Sequence, residues 1–268
     1  MEKRRKILYE QVHKKSEIYK LIKNANKKLI KILIVIALII AITVGGCAIY
    51  LSDYYRADVN AIEVFALNDG VIKTEISDKM IAFGNQSSKV GFIFYPGGKV
   101  EFTSYEPLMR ELASRGVFCI LLKMPFNLAV LDVNAADGVC ELFPKVEKWY
   151  IGGHSLGGSM AATHLANNVQ KYEGLVLLGA YSTSDLTNSS IDVLSIFGSN
   201  DKVMNAEKYL EYKTNLPSDF TEIIIDGGCH AYFGMYGKQE GDGNPTITQK
   251  EQITITANYV VDLIEKGE

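Results

Sequence analysis

The reading of the chain turns on "YIGGHSLGGSM", Tyr150 to Met160: a short apolar run, a serine set between glycines, then small residues that suit the start of a helix. Gly153-His154-Ser155-Leu156-Gly157 puts a glycine two residues to either side of the serine. A serine on so tight a strand-to-helix turn takes a strained backbone, and side chains at the two glycines would strike the neighbouring strand and helix. Such a turn projects the hydroxyl into a cleft, and the helix N-terminus behind it favours nearby negative charge. The bland alternative is a serine in an ordinary glycine-rich turn, and the residues around it decide between the two.

Outward from this stretch, short apolar runs recur, each followed by turn residues: "VGFIFY" (90–95), "VFCILL" (117–122), "WYIGG" (149–153), "GLVLLG" (174–179), "VLSIFG" (193–198) and "TEIII" (221–225). Continuous rather than alternating apolarity suits strands buried on both faces of a mainly parallel sheet. Between them "SYEPLMRELASRG", "SLGGSMAATHLANNVQKY", "AEKYLEYKTN" and, last, "TQKEQITITANYVVDLIEK" have helical spacing. Strand and helix in alternation predict a doubly wound α/β fold. Residues 61–83, where "VIKTEI" and "KMIAF" partly alternate, are read as a first hairpin. Neither an internal repeat nor a low-complexity linker interrupts residues 52–268, which are read as one domain.

The N-terminal part has a different composition. Residues 1–31 hold eleven Lys or Arg against three Glu, about +8, so the net charge of -3 leaves about -11 on the rest. From Ile32 to Leu51, "ILIVIALIIAITVGGCAIYL" carries no charge and no polar stripe. A helix of that length spans roughly 30 Å, one hydrocarbon core, which predicts a single transmembrane signal anchor. Lys23, Lys27, Lys28 and Lys31 directly before it place residues 1–31 in the cytoplasm and the body outside, as a single-pass cell-membrane protein. A cleaved secretory signal has a shorter apolar run and a shorter basic head. Val44-Gly45-Gly46-Cys47 resembles a bacterial lipobox, in which Cys47 would be lipidated after cleavage, although the long basic head departs from that pattern. Either outcome holds the body at the outer membrane face. The basic head is accounted for by topology and anionic lipid, and with no recognition motif beside it nucleic-acid binding is not expected.

Cys47, Cys119, Cys140 and Cys229 show neither C-x-x-C nor metal-ligand spacing, so zinc and thioredoxin-like chemistry have no support and no metal is expected. Cys119 reads as core, and a disulfide from Cys140 stays open.

A neutral serine is a poor nucleophile and needs a histidine to take its proton and a carboxylate to orient that histidine. Of four histidines, His13 lies in the basic head, His154 adjoins the serine and should point away, and His164 sits more than two helical turns on. His230 remains, in "IIIDGGCHAYFG", just past a buried run, where a glycine-rich turn can swing an imidazole over the edge of the sheet. Asp201, in "FGSNDKV", follows the preceding run at the end where ligands collect in open α/β sheets. Asp192 starts a strand and Asp226 is close in sequence to His230, so both rank behind it. An oxyanion hole needs two backbone donors, one from Leu156 and one from the turn Tyr95-Pro96-Gly97-Gly98-Lys99, at Gly97 or Gly98.

With "FYPGG", "GGHSLGG", "GSNDKV" and "GGCHAYFG" in this order, residues from about 88 to 265 resemble the α/β-hydrolase family, particularly its small branch related to dienelactone hydrolase, carboxylesterases and phospholipases. The chain order Ser155, Asp201, His230 is similar to that family's nucleophile, acid and base. Two departures matter. Dienelactone hydrolases proper carry cysteine where Ser155 stands, and "PGG" replaces the "HGGG" of many lipases and esterases, which leaves Gly97 and Gly98 both open as oxyanion donors.

The resemblance implies a serine hydrolase that cleaves carboxylic esters, of small-molecule, lipid or carbohydrate type, through an acyl-enzyme, with no cofactor and no obligate protein partner. Its activity should fall as the base protonates. Only about ten residues separate "GLVLLG" from "DVLSIFG", too few for a cap domain, so an open cleft is expected, rimmed by residues 124–131 and 231–245. Phe126, Tyr232, Phe233, Met235 and Tyr236 are the candidate acyl-pocket residues. Rival readings are a non-catalytic, membrane-anchored binding module with this fold, or the same serine used for acyl transfer, thioester hydrolysis or peptide cleavage.

Overall fold

A computed structural model describes every residue except Asn68 and Glu268, with the side chains of Arg4 and Ala25 also outside the description. The chain divides into two compact units, Met1–Asp53 and Tyr54–Glu268.

The first unit is one helix, α1 (Glu2–Ser52), unbroken through Gly45-Gly46-Cys47. Within Arg5–Ser52 an 18-residue stretch of mean hydropathy 3.0 has none of its surface buried, and by length and composition the helix can cross a membrane.

The second unit is built on an eight-stranded sheet in the order β1-β2-β4-β3-β5-β6-β7-β8. The strands are β1 (Lys73–Ser77), β2 (Met80–Phe83), β3 (Val90–Tyr95), β4 (Phe118–Leu122), β5 (Lys148–His154), β6 (Gly174–Leu178), β7 (Asp192–Gly198) and β8 (Thr221–Ile225). β2 runs antiparallel to both β1 and β4, and every pairing from β4 to β8 is parallel. The order reverses at β3, which is flanked by β4 and β5. Crevices for ligands open at the carboxyl ends of strands at such a reversal. The turn after β3 is Pro96-Gly97-Gly98, and the turn after β5 carries Ser155.

Period-two side-chain alternation sorts the central strands into two cores. Phe92, Phe94, Cys119 and Leu121 face α3 (Glu106–Ala113) and α7 (Gln249–Lys266), packing on Leu108, Leu112, Ile253 and Val260. Ile93, Tyr95, Phe118 and Ile120 face α5 (Leu156–Ala166) and the loop after β4, with Ala161, Leu165 and Phe143. Each large apolar side chain so buried contributes roughly 1.5–3 kcal/mol relative to exposure. Thr248 starts α7 with a capping box: its hydroxyl accepts the Glu251 N–H at 3.2 Å while Glu251 takes the Thr248 N–H at 2.7 Å.

Two sequence expectations need correction. The hairpin expected over 61–83 is confined to β1 and β2, because residues 59–66 form α2 (Val59–Ala66). Asp58 caps this helix by accepting the Ala61 N–H at 3.0 Å, and Ile62 and Phe65, three apart, turn to the core. The run "TEIII" does form β8, but at the sheet's edge, where one face is left uncovered and Ile224 is 55% exposed. The remaining α4 (Val139–Leu142) and α6 (Ala206–Tyr212) are short.

The segment that begins this unit is stitched into it at once. Tyr55 donates its N–H to Lys99 O and accepts the Glu101 N–H, both at 2.8 Å, as a parallel bridge beside the turn after β3. Ala57 N–H reaches Glu101 Oε2 at 3.0 Å, and Asp58 N–H reaches Met235 O at 2.8 Å.

Candidate active site

Ser155 sits between β5 and α5 with φ 52 and ψ -124, one of four non-glycine residues at positive φ among those described. That conformation costs of order 1–3 kcal/mol and persists only where the surroundings impose it. The Ser155 N–H is tied to Leu178 O at 2.9 Å. A Cβ at Gly153 would lie 2.5 Å from Tyr95 O, and one at Gly157 would overlap the carbonyl oxygens of Tyr95 and Pro96. The glycines are therefore where β3 and α5 come too close for any side chain.

Asp201 follows β7 and His230 follows β8, so both stand at the same end of the sheet as Ser155. Asp201 Oδ2 lies 2.7 Å from His230 Nδ1, with both side chains 1% exposed. A carboxylate only accepts, so Nδ1 carries the proton of the neutral ring, and Nε2 is left as the basic atom. Nε2 is buried and has no hydrogen-bond partner among the described residues. The other carboxylate oxygen of Asp201 is fixed by the N–H groups of Val203 and Met204, each at 2.9 Å. Gly179, at φ 52, allows the pair to form: a Cβ there would lie 2.9 Å from His230 Nδ1 and 3.1 Å from Asp201 Oδ2.

The loop that carries His230 is held by two side chains. Gln252 on α7 takes the Cys229 N–H at 3.0 Å and donates to Cys229 O at 2.8 Å. Asp242 accepts the main-chain N–H groups of His230 at 3.2 Å, Ala231 at 2.9 Å and Gly243 at 2.8 Å. Asp242 lies in the "KQEGDGN" stretch, which reads as a solvated turn in the sequence.

Of the candidate oxyanion donors, Gly97 already gives its N–H to the Tyr105 hydroxyl at 3.1 Å. The Gly98 and Leu156 N–H groups have no acceptor among the described residues, Leu156 because it opens a helix. They are neighbours: a Cβ at Gly98 would lie 2.9 Å from Leu156 Cδ2.

Ser155 opens onto a cleft of about 240 Å³ whose walls include Leu156, Gly179, Tyr181, Val203, Met204 and Asn205. The aromatic and methionine side chains singled out in the sequence lie elsewhere. Phe233, Met235 and Tyr236 are buried in the core on the α3 and α7 side, Tyr232 packs against that core, and Phe126 is 63% exposed on the loop after β4. His164 is buried and pairs with the Tyr172 hydroxyl at 2.9 Å. His154, expected to point away, is also buried, and its ring centroid is 4.4 Å from that of His230. Burial first, and the His230 imidazole next, hold His154 well below the usual histidine range. Tyr105, His154, Gly179, Gln252 and Asp242 carry no sequence signal that separates them from ordinary core or turn residues. Cys47, Cys119, Cys140 and Cys229 are free thiols, and among the described residues no group of three or more His, Cys, Asp or Glu side chains is placed to hold a metal ion.

A sequence profile of the alpha/beta hydrolase family matches residues 91–254, well over half of the chain. Among solved structures, a predicted CIB-like hydrolase from Thermoplasma acidophilum superposes with a TM-score of 0.53 at 15% identity, over 72% of this chain and 99% of its own. Est1E from Butyrivibrio proteoclasticus superposes with a TM-score of 0.53 at 12% identity, over 73% of this chain and 99% of its own. At these identities the likeness concerns the fold. No curated protein matches the sequence significantly.

Proposed function

The chain belongs to the alpha/beta hydrolase family, and on that footing we propose that it is a membrane-tethered serine hydrolase of carboxylic esters. The observation that carries this reading is the 2.7 Å Asp201–His230 pair, its second ring nitrogen unpartnered, at the same sheet end as the positive-φ Ser155.

In this reading His230 Nε2 takes the Ser155 proton as Oγ attacks the ester carbonyl. The carbonyl electron pair moves to oxygen and is held by the Leu156 and Gly98 N–H groups. The tetrahedral intermediate collapses, the alkoxide leaves with the proton from His230, and water enters by the same route to release the acid. Asp201 fixes the tautomer and stabilises the transient imidazolium. The largely apolar cleft supports a compact acyl group: a cavity of about 150 Å³ holds a benzene ring, so about 240 Å³ suits an aryl or short alkyl acid.

The apolar stretch of α1 supports membrane tethering, and the lysines before it support a cytoplasmic N-terminus. Protease added to intact cells should then digest the body and spare residues 1–31.

The deciding experiment is fluorophosphonate labelling of the full-length protein in detergent, with an ester series alongside. Labelling lost in Ser155→Ala and weakened in His230→Asn supports an activated serine. Folded wild type that neither labels nor turns over any ester would make the protein a binding module on the same fold.

A further inference from the structure

Beneath the proposed site runs a line of buried polar groups that the Ser155, Asp201 and His230 chemistry does not use. The Gly97 N–H donates to the Tyr105 hydroxyl at 3.1 Å, and that hydroxyl lies 2.8 Å from His154 Nδ1. Tyr105 and His154 are 0% and 1% exposed. The proton directions follow from chemistry. An amide N–H can only donate, so Tyr105 accepts from Gly97; of the two neutral tautomers then open to His154, the one in which Nδ1 accepts gives the buried hydroxyl proton a partner, whereas an Nδ1–H would leave that proton with none. The remaining proton of the neutral His154 ring is on Nε2.

This imidazole touches the other half of the site. Its ring packs against His230 with centroids 4.4 Å apart, and Phe233, three residues beyond His230, packs on it at 5.5 Å. At the opposite end no side chain fits: a Cβ on Gly97 would lie 2.6 Å from the Tyr105 hydroxyl and 2.8 Å from His154 Nδ1. His154 is therefore wedged between the turn after β3 and the loop after β8.

We propose that Tyr105 and His154 are positioning residues that join the oxyanion turn and the base-bearing loop into one rigid unit. The inference rests on the serine-hydrolase reading. In that reading His230 becomes an imidazolium in each half-reaction, and the ring beside it has to remain neutral and fixed. The Tyr105 proton on Nδ1 holds His154 in that form. The same bond keeps Gly97 from drifting, and Gly98, the next residue, presents the free N–H. Displacement of an oxyanion donor or a base by about 1 Å costs on the order of a hundredfold in rate.

Two experiments on the full-length protein in detergent test this. The first does not need activity: long-range proton–nitrogen correlation spectra of the ring nitrogens at pH 7 should show His154 as the neutral Nε2–H tautomer, changed by Tyr105→Phe. A cationic or Nδ1–H ring would overturn the proposal whether or not the protein is a hydrolase. The second compares ester turnover. Tyr105→Phe should lower kcat about tenfold or more with KM within about threefold. His154→Asn, whose amide oxygen can stand where Nδ1 does, should retain most of the wild-type kcat, whereas His154→Leu should fall as far as Tyr105→Phe. The double variant Tyr105→Phe/His154→Leu should be no worse than either single one. Folded Tyr105→Phe with wild-type kcat, equal losses in the Asn and Leu variants, or multiplicative losses in the double variant would each overturn it. Wild type with the Nε2–H tautomer that fails to label at Ser155 would instead refute the hydrolase reading and with it the catalytic purpose assigned to the pair.

Discussion

The carboxylate of Asp242 accepts the main-chain N–H of His230 at 3.2 Å, twelve residues before it in the chain, and that of Ala231 at 2.9 Å. The loop after β8 is thus clamped by a side chain that is not one of the proposed Ser155, Asp201 and His230. Asp242→Ala strands several N–H groups, each costing about 1–3 kcal/mol if water does not replace the carboxylate. We expect a lower Tm and a kcat reduced about tenfold or more, with Asp242→Asn intermediate. Thermal melts and ester turnover on the same preparations check both.

Gly179→Ala addresses the Asp201–His230 pair without altering either partner. The added methyl would meet both side chains at about 3 Å and would sit on a backbone at φ 52. Turnover and fluorophosphonate labelling should fall more than a hundredfold, while the melting temperature drops only by the few degrees that about 1 kcal/mol implies. An active Gly179→Ala enzyme would mean that the pair tolerates separation.

The cleft predicts its own selectivity. Val203→Trp, filling space beside Ser155, should move the preferred acyl length in a p-nitrophenyl ester series downward, and Met204→Ala should move it upward. An optimum that does not respond to either change would show that the acyl group binds elsewhere on the rim, as at Phe126.

Stability should fall on both sides of neutrality. Burial holds the phenols of Tyr95, Tyr105, Tyr172 and Tyr209 far above their usual range and pushes the thiols of Cys140 and Cys229 up to about 11 and about 12. The folded chain keeps these protons where the unfolded chain releases them, so stability is whole below about pH 8.5 for the thiols and about 10 for the phenols, and declines above. His154 and His164 are lowered, mainly by burial, so the unfolded chain binds their protons first and stability declines as pH drops below about 6.5. Melting temperatures from pH 5 to 11 check the shape, and His154→Asn should flatten its acid side.

The strands were legible because a parallel sheet covered on both faces leaves unbroken apolar runs, as at Val90–Tyr95 and Gly174–Leu178. The strand at the edge was less so, since "TEIII" looks the same whether or not a helix covers Ile224. The spacing of glycines around Ser155 announced a close approach, and the β3 carbonyls supply it. Asp201 and His230, which the structure pairs, stand out in the sequence by their place after successive strands. Tyr105 and His154 do not, because a contact across 49 residues of chain leaves no local pattern. The cleft walls carry no sequence signal either: Tyr181, Val203 and Met204 sit in ordinary loop sequence, and the more conspicuous Phe233, Met235 and Tyr236 bury their apolar surface in the core.

The bridge from Tyr55 to Lys99 and Glu101 makes the start of the body a load path. A pull on the chain at residue 54 is borne first by two main-chain hydrogen bonds on either side of Val100, two residues beyond Gly98, before any strand of the sheet feels it. The entry of the chain at residue 54 and the turn that presents Gly98 therefore share one mechanical joint, and tension at the first is felt at the second.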